Sequence, residues 1–215
     1  MFDISESVPK ILHNIELYKN TLSIVLQQFA KVPKDELKEF LDLFYVETYE
    51  KNKNIIEPNN TNFKGYFIIK GIVRMHYRIG KKEITSDFRE ANSFFINGMA
   101  MFTGSPNFDY FTAKENTTCL VVDWNQLEAI LKKYHSLEHL GRRILEWHYA
   151  QSIRASYNSN FLSVEERYEL FVKERSSLLG RIKLKHIASY LGITPETLSR
   201  LRAKYQVIGN ERREK

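Results

Sequence analysis

The sequence predicts an α+β protein in which N-terminal helices precede an antiparallel β-roll or sandwich, followed by a long helix and a small helical domain. Three observations support this prediction. Residues 8–44 carry apolar side chains at helical spacings, residues 46–122 form short alternating runs divided by turn residues, and helical spacing returns after Asp123. Six or more short strands at this spacing favour a sandwich or roll over a parallel sheet.

Two helices are predicted over residues 8–44. Apolar side chains recur there at threes and fours, and Val32-Pro33 interrupts the pattern. The stretch Pro33-Lys34-Asp35-Glu36 then opens a second helix that continues through Phe44.

The strand region is divided by residues that favour turns. Residues 57–60, Glu-Pro-Asn-Asn, predict a turn before a strand at Tyr66–Ile69. Lys70-Gly71 then makes a tight corner into a strand at residues 72–77, and residues 79–88 return as a hairpin. Cys119 lies among apolar residues and is expected to be a buried side chain on a strand, with a redox role as the alternative.

A single long helix is predicted from Asp123 to about Ala155, because apolar residues recur throughout at threes and fours. Such a helix needs a partner along its face. Apolar positions seven apart favour a two-fold contact between two copies, and the small Gly141 permits close approach. The alternative is an amphipathic helix that packs only against its own chain. The residues assigned to the two-fold contact are Tyr134, Leu137, Gly141, Ile144 and His148.

A hinge is predicted at Tyr157-Asn158-Ser159-Asn160, which is polar and favours turns. Ser163-Val164-Glu165-Glu166 is a capping-box sequence that opens a further helix.

The stretch Ile187–Arg202 predicts a helix-turn-helix. Two apolar-periodic segments flank Gly192, a residue that can adopt the positive φ needed to end the first helix. Thr194 and Pro195 suit the N-cap and first position of the second helix. That helix would turn its leucines inward and its polar residues outward, as in a helix that lies in a DNA major groove. An ordinary αα-hairpin is the alternative.

The charge distribution favours the DNA-binding interpretation. From Gly180 to Lys215 there are nine basic and three acidic residues, a net charge of +6, which equals the +6 of the whole chain. The chain before Gly180 is therefore neutral overall. A basic surface confined to one end suits phosphate neutralisation, although a solvated basic tail would have the same composition.

Composition excludes several other classes of protein. With 43% hydrophobic and 13% aromatic residues, the chain can form a packed core. A single cysteine excludes an internal disulfide and a four-cysteine metal or iron–sulfur site. Neither a targeting peptide nor an apolar run long enough for a membrane helix is visible, so a cytoplasmic protein without a membrane partner is expected.

In this order of elements the chain resembles the Crp/Fnr family of bacterial transcription regulators. The specific part is HIASYLGITPETLSRLR at His186–Arg202, which resembles the family's helix-turn-helix, while Tyr66–Arg74 is a looser match to its β-roll. The resemblance implies a cyclic-nucleotide-binding-like β-roll, a long dimerisation helix and a helix-turn-helix DNA-binding domain. The corresponding segments are residues 1–124, 125–157 and 158–215. Asn97-Gly98 favours a hairpin, whereas the family implies a short helix there, and we adopt the helix.

The resemblance also implies partners and their contacts. The expected partners are double-stranded operator DNA, a second copy of the chain and an unknown small-molecule effector, with RNA polymerase a further candidate. Glu196 and Arg200 correspond to base-reading positions, which would contact cytosine N4 and guanine O6/N7. Pro195 stands where the family often has another arginine. Residues assigned to DNA phosphates are Lys185, Thr194, Thr197, Ser199, Arg202 and Lys204.

The nucleotide cassette departs from the family pattern. Ile96-Asn97 stands in place of the Gly-Glu pair that holds the ribose, and Asn107-Phe108-Asp109 occupies the place of the phosphate-binding arginine. No basic residue lies between Phe94 and Phe111, so the chain is not expected to bind cyclic AMP in the family's way. The segment is instead vacant, fitted to an apolar effector, or simply aromatic core. The candidate pocket residues are Phe95, Asn97, Met99, Phe108 and Tyr110.

Three other functions have a motif or residue in their favour. His135-Ser136-Leu137-Glu138-His139 matches the H-x-x-E-H pattern of inverted zincins, but that chemistry needs a further acidic ligand. His76 is a conceivable haem ligand or an ordinary strand histidine. A sensory module that binds a small molecule or protein without DNA is the main alternative. No enzyme activity, metal or cofactor is expected.

Overall fold

A computed structural model of the chain describes residues 4–60 and 63–211, with side chains described for residues 14–60 and 63–205. Its helices are α1 Ile4–Leu26, α2 Lys34–Asp42, α3 Gly98–Thr103, α4 Trp124–Lys133, α5 His135–Phe161, α6 Val164–Arg175, α7 Leu184–Leu191 and α8 Pro195–Glu211, with a 3₁₀ turn at Ser176–Leu178. Its strands are β1 Tyr45–Tyr49, β2 Asn54–Ile56, β3 Lys64–Lys70, β4 Ile72–Ile79, β5 Lys82–Glu90, β6 Phe94–Ile96, β7 Tyr110–Ala113 and β8 Thr117–Asp123.

The strands form two four-stranded sheets, in the orders β1-β8-β3-β6 and β2-β7-β4-β5. In the first sheet β8 is antiparallel to β1 and β3, and β3 is antiparallel to β6. The predicted α+β class with an antiparallel β-roll and N-terminal helices is therefore confirmed.

Both faces of the first sheet are buried, in two different cores. On β3, Phe67 packs with the N-terminal helices, whereas Tyr66 and Ile68 face the interior between the two sheets. On β8, Leu120 faces the helices and Cys119 faces the sheet interior. Because successive side chains alternate between faces, a strand buried on both sides becomes a continuous apolar run. This explains the sequence YFII at residues 66–69.

The short helix α3 is present as expected, and it ends at Gly104 in the left-handed conformation. The hairpin signal of Asn97-Gly98 is thus overridden. Asn97 is buried and its side-chain amide donates to the Asn60 carbonyl at 3.3 Å, which fixes the chain at the start of the helix.

The predicted long helix is not continuous. It breaks at Tyr134, whose φ of −124° and ψ of 114° are extended, so that α4 and α5 are separate helices. The Tyr134 hydroxyl donates to Glu39 on α2 at 2.6 Å, and Lys133 pairs with the same carboxylate at 2.7 Å. Glu39, the partner of Tyr134 at the break, lies 95 positions away, so local spacing does not reveal this contact.

The predicted hinge at Tyr157–Asn160 is wrong, because α5 continues through it to Phe161. The chain leaves the helix at Leu162, and the capping box predicted at Ser163 follows. The Ser163 hydroxyl accepts from the Glu166 amide, while the Glu166 carboxylate accepts from the Ser163 amide at 2.8 Å. The hydrogen bonds that the carboxylate accepts from the Ser163 amide and hydroxyl lower the pKa of Glu166. This half of the capping box is therefore lost only as pH falls through that lowered value.

The chain divides into two compact units. One contains residues 1–75 and 88–148, and the other contains residues 76–87 and 149–215. The three segments proposed from sequence, with boundaries at 124/125 and 157/158, stay predictions. Within the described residues, no helix has the length and apolarity needed to cross a membrane.

Candidate nucleic-acid interface and ligand pockets

Helices α7 and α8 form a helix-turn-helix on an apolar base. Ile187 and Ala188 of α7 are fully buried, as is Leu198 of α8, and Leu201 is nearly so. Phe171 of α6 is also buried, and its ring lies 5.8 Å from that of Tyr190. The inward-facing leucines of α8 therefore leave its polar side chains on the outside.

The turn between the two helices has the geometry that its residues favour. Gly192 adopts φ +69° and ψ +29°, and its amide donates to the Ser189 carbonyl at 3.2 Å. The hydroxyl of Thr194 accepts from the Thr197 amide at 3.2 Å, as an N-cap residue does. Pro195 occupies the first position of α8, where the lack of an N–H leaves no donor unsatisfied.

Glu196 is ionised at the exposed N-terminus of α8. Hydrogen bonds from its own amide and from Thr194 lower its pKa, and the Arg200 guanidinium contributes in the same direction. A carboxylate in this position is acceptor-only, so it can receive a hydrogen from an exocyclic amine but cannot donate one. Arg200, one turn further along the same helix, is a cation that donates hydrogen bonds but cannot accept them.

Most residues predicted to contact DNA lie on the outer surface. Lys185, Thr194, Glu196, Ser199, Arg200 and Lys204 are exposed, and Thr197 is half-buried. Arg202 is also half-buried and acts electrostatically on the Tyr168 hydroxyl of α6. Thr194 and Thr197 already serve the helix cap. The sequence indicated the cap role of Thr194, but it did not indicate the Arg202 interaction, which depends on the proximity of α6 to α8.

The β5 strand of the β4–β5 hairpin contacts α7 within the second unit. The Thr85 amide donates to the Ser189 hydroxyl at 2.9 Å, and that hydroxyl donates to the Glu83 carbonyl at 3.2 Å. Asp87 pairs with Arg175 at 2.8 Å, and Arg175 lies over the Tyr190 ring. One serine side chain thus bridges two backbone groups of the hairpin.

The cassette segment satisfies its own polar groups. Buried Asn107 donates to the carbonyls of Glu57 and Asp109, at 3.3 and 2.8 Å, and accepts from the Asp109 amide at 2.9 Å. Burial raises the pKa of the Asp109 carboxyl, as expected where no cation offsets desolvation. An anionic phosphate has no counter-charge on this segment.

Aromatic rings fill the interior between the two sheets. Tyr66 and Phe95 stack with their centroids 4.5 Å apart, and Phe95 stacks on Phe111 at 5.5 Å. Cys119 is fully buried in the same cluster, and burial raises its pKa to about 12. The thiol is therefore protonated and packs as an apolar group, as predicted.

The five candidate effector residues do not share one environment. Phe95 and Asn97 are buried, Tyr110 is half-buried, and Met99 and Phe108 are more than half exposed. The sequence prediction of a pocket rested on aromatic composition, which cannot distinguish a lining ring from a core ring or a surface ring. Phe95 proves to be core.

The residues predicted for the two-fold contact lie on the inward side of α5 or at its start. Leu137 is fully buried in the core with α1 and α2, and Ile144 packs against the same core. Gly141 lies beside Leu131, and His148 packs against Trp147. Leu137 is therefore unavailable to a partner. The other four residues are half-buried, and their part in a two-fold contact stays a prediction.

A different face of α5 carries large exposed side chains. Tyr149 is 70% exposed and Phe161 is 71% exposed. We define the α5 stripe by its members at intervals of four: Leu145, Tyr149, Ile153, Tyr157 and Phe161. The intervals of four could have been found in the sequence, but the heptad spacing of the inward residues fitted a contact between two helices equally well.

The histidines of the zinc motif and the candidate haem ligand lie beside charged side chains of the chain itself. His135 and Glu138 are exposed and lie 3.3 Å apart, and His139 is hydrogen-bonded to Arg142 at 2.8 Å. Across the described residues, no group of three metal-ligating side chains is present. His76 is buried, with its Nε2 atom 3.9 Å from a Glu83 carboxylate oxygen.

Comparison with known proteins places this geometry in a family context. Residues 46–134 match the family model of the cyclic nucleotide-binding domain. No curated protein sequence matches the chain significantly.

Several solved structures are similar at low sequence identity. FixK2 from Bradyrhizobium japonicum has a TM-score of 0.68 at 17% identity, with 77% of this chain and 86% of that chain covered. The c-di-GMP responsive global regulator CLP of Xanthomonas campestris has a TM-score of 0.62 at 17% identity, with coverages of 82% and 93%. A protein assigned to the Crp/Fnr family, from Eubacterium rectale, has a TM-score of 0.64 at 16% identity, with coverages of 83% and 85%. Residues 46–134 thus match the model of a cyclic nucleotide-binding domain, and the chain shares the fold of these Crp/Fnr-type structures.

Proposed function

We propose that this chain is a homodimeric, sequence-specific DNA-binding transcription regulator whose β-roll does not bind cyclic AMP in the family's usual way. The observation that carries the proposal is the capped α8 helix, which holds Glu196 and Arg200 outward on a buried leucine face. A donor and an acceptor one turn apart can read two bases in a major groove. The similar structures are themselves described as regulators.

The direct test is selection of DNA from a random pool by the purified protein at two salt concentrations. A two-fold symmetric motif is expected, because a two-fold dimer reads two equivalent half-sites. Binding should weaken with salt, since Lys185, Lys204 and other exposed cations release counterions from phosphates. Salt-independent binding, or none at either concentration, would favour the sensory-module alternative.

Arg200→Ala is expected to lose discrimination at one base position of each half-site, by about 1–3 kcal/mol. The measurement is a competition titration between the selected operator and single-base variants. Lys204→Ala is the matched control on the same helix, because loss of a phosphate contact should weaken all sequences equally and reduce the salt slope. If Arg200→Ala also weakened every sequence equally, its assignment as a base reader would be wrong.

Cyclic AMP at about 1 mM is expected to leave the midpoint of thermal unfolding unchanged, since a ligand that binds only the folded state would raise it. The reason is the cation-free cassette, in which the amide groups of Asn107 are used internally. Non-cyclic AMP, which has the same base and sugar and also carries a negative charge, serves as the control. A midpoint that rises with cyclic AMP concentration but not with AMP would contradict the proposal.

We propose the α5 stripe as the surface that joins two copies. A helix whose exposed face carries Tyr149, Ile153 and Phe161 can bury those side chains only against another surface. The dimer implied by the family resemblance supplies one, with the same stripe contributed by each copy. This replaces the buried Leu137 in the proposed contact.

A further inference from the structure

A cleft on the first unit lies outside both the β-roll interior and α8. It has a volume of about 300 Å³ and is formed by the C-terminal end of α1, the β5–β6 turn and α5. This is the lower end of the size range for small-molecule sites. Its lining residues are Val25, Gln28, Phe29, Asn92, Ser93, Phe94 and Trp147.

The cleft is separate from the nucleotide cassette because the β6 strand divides the two. Phe95 packs into the interior between the sheets, whereas its neighbour Phe94 packs against Phe67 on the helix-covered face. Adjacent strand residues face opposite sides. A molecule in the cleft would therefore contact the outer side of the sheet and leave the aromatic stack of the interior undisturbed.

The apolar walls of the cleft are aromatic and held by packing. Phe29 and Trp147 meet edge to face, with their centroids 5.9 Å apart and an interplanar angle of 80°. Phe94 lies 4.9 Å from the Phe67 ring, and Phe67 is fully buried. Perpendicular rings offer one face and one edge to a guest, an arrangement that favours a planar aromatic group.

The polar groups of the cleft are neutral. None of its lining residues is charged, so an ionised ligand would lose hydration without gaining a counter-charge. Ser93 donates its hydroxyl hydrogen to the Glu90 carbonyl and keeps only acceptor capacity. The carboxamides of Gln28 and Asn92 and the Trp147 indole N–H have no hydrogen bond to other described residues. The two carboxamides can both donate and accept, whereas the indole N–H can only donate.

We propose that this cleft binds a small, uncharged, planar aromatic molecule that carries a carboxamide-like edge of hydrogen-bond donors and acceptors. The ring packs against Phe29 and Trp147, and the polar edge bonds to the carboxamides of Gln28 and Asn92. The inference does not depend on DNA binding, since every group that it uses lies in the first unit.

The test uses the full chain and three probes that differ by one property each. Benzamide has the ring and the neutral edge, benzoate replaces that edge with a charge, and cyclohexanecarboxamide removes the aromaticity. The chain has two tryptophans, Trp124 and Trp147, so their indole N–H signals in a ¹⁵N–¹H NMR spectrum report on two separate places. The signal that disappears in the Trp124→Phe variant belongs to Trp124, and the remaining signal belongs to Trp147.

Benzamide is expected to shift the Trp147 signal saturably at about millimolar concentration, a normal affinity for a probe of this size, while Trp124 stays unmoved. Benzoate and cyclohexanecarboxamide should bind roughly tenfold more weakly, because one lacks a counter-charge and the other an aromatic face. Equal shifts at both tryptophans, no shift at Trp147, or equal binding of benzoate would overturn the proposal.

A matched pair of variants tests the polar edge. Asn92 has φ +65° and Asn59 has φ +62°, and both side chains are exposed. Glycine accepts these backbone angles, so each substitution removes only a carboxamide. Asn92→Gly is expected to weaken benzamide several-fold, as is Gln28→Ala, while Asn59→Gly leaves binding unchanged. Equal affinity in all three variants would contradict the assigned contacts.

Discussion

Gly71→Ala is expected to destabilise the β-roll by about 3 kcal/mol or more. Gly71 has φ +114°, which side-chain-bearing residues rarely adopt, and an added Cβ would lie 2.3 Å from Thr117 Oγ1 and 2.7 Å from Thr117 Cα. Thr117 cannot yield, because it is buried on β8 and its hydroxyl donates to the Glu115 carbonyl at 2.9 Å. Urea denaturation followed by circular dichroism measures the loss.

Gly80→Ala is the matched control for that measurement. Gly80 also has a positive φ, of +58°, but a Cβ there would meet no atom within 4 Å. Its cost should be only that of a left-handed alanine, about 1–2 kcal/mol. If the two variants lost equal stability, the contact with Thr117 would not be the cause, and the corner between β3 and β4 would be more adaptable than the structure indicates.

Ile153→Asp is expected to raise the dimer dissociation constant at least about 100-fold, which corresponds to about 2.8 kcal/mol. In a two-fold contact through the α5 stripe, the substitution occurs once in each copy and places two carboxylates in an apolar interface. Ile153 is 53% exposed in the single chain, so its own fold should tolerate the change. Sedimentation equilibrium measures the constant, and operator affinity should fall in parallel.

Ile79→Asp provides the comparison, because Ile79 is also an exposed isoleucine, at 65%, but lies at the end of β4. It should leave the dimer intact. Dimerisation that survives Ile153→Asp unchanged would exclude the α5 stripe as the interface, and a wild-type protein that is monomeric at all concentrations would exclude the dimer itself.

The features predicted correctly from sequence are those that neighbouring residues determine. Gly192 ends α7, Thr194 caps α8, and the Ser163–Glu166 box opens α6. The residues involved in each signal lie within three positions of one another, so the backbone angles and the hydrogen bonds are encoded together. The alternation of Phe67 and Ile68 between two cores has the same origin in strand geometry.

The features that the sequence did not reveal depend on contacts between distant segments. The helix break at Tyr134 is accompanied by a hydrogen bond to distant Glu39, and the turn signal at Tyr157–Asn160 was overridden as α5 continued to Phe161. Heptad spacing on α5 showed that one face is buried but not which neighbour buries it. The cleft around Trp147 draws its walls from three separate stretches of chain, so no single motif marks it.

The hairpin contact of Ser189 limits how this chain can be divided or recombined. The helix-turn-helix unit is discontinuous, since residues 76–87 belong to it along with residues 149–215. A C-terminal domain without a hydroxyl at position 189 would cover the Thr85 amide and leave it without its acceptor, and a buried unsatisfied donor costs about 1–3 kcal/mol. The C-terminal helices are therefore not an interchangeable module. A transplanted helix-turn-helix must have a hydroxyl at the position of Ser189, or must be transplanted together with its own hairpin.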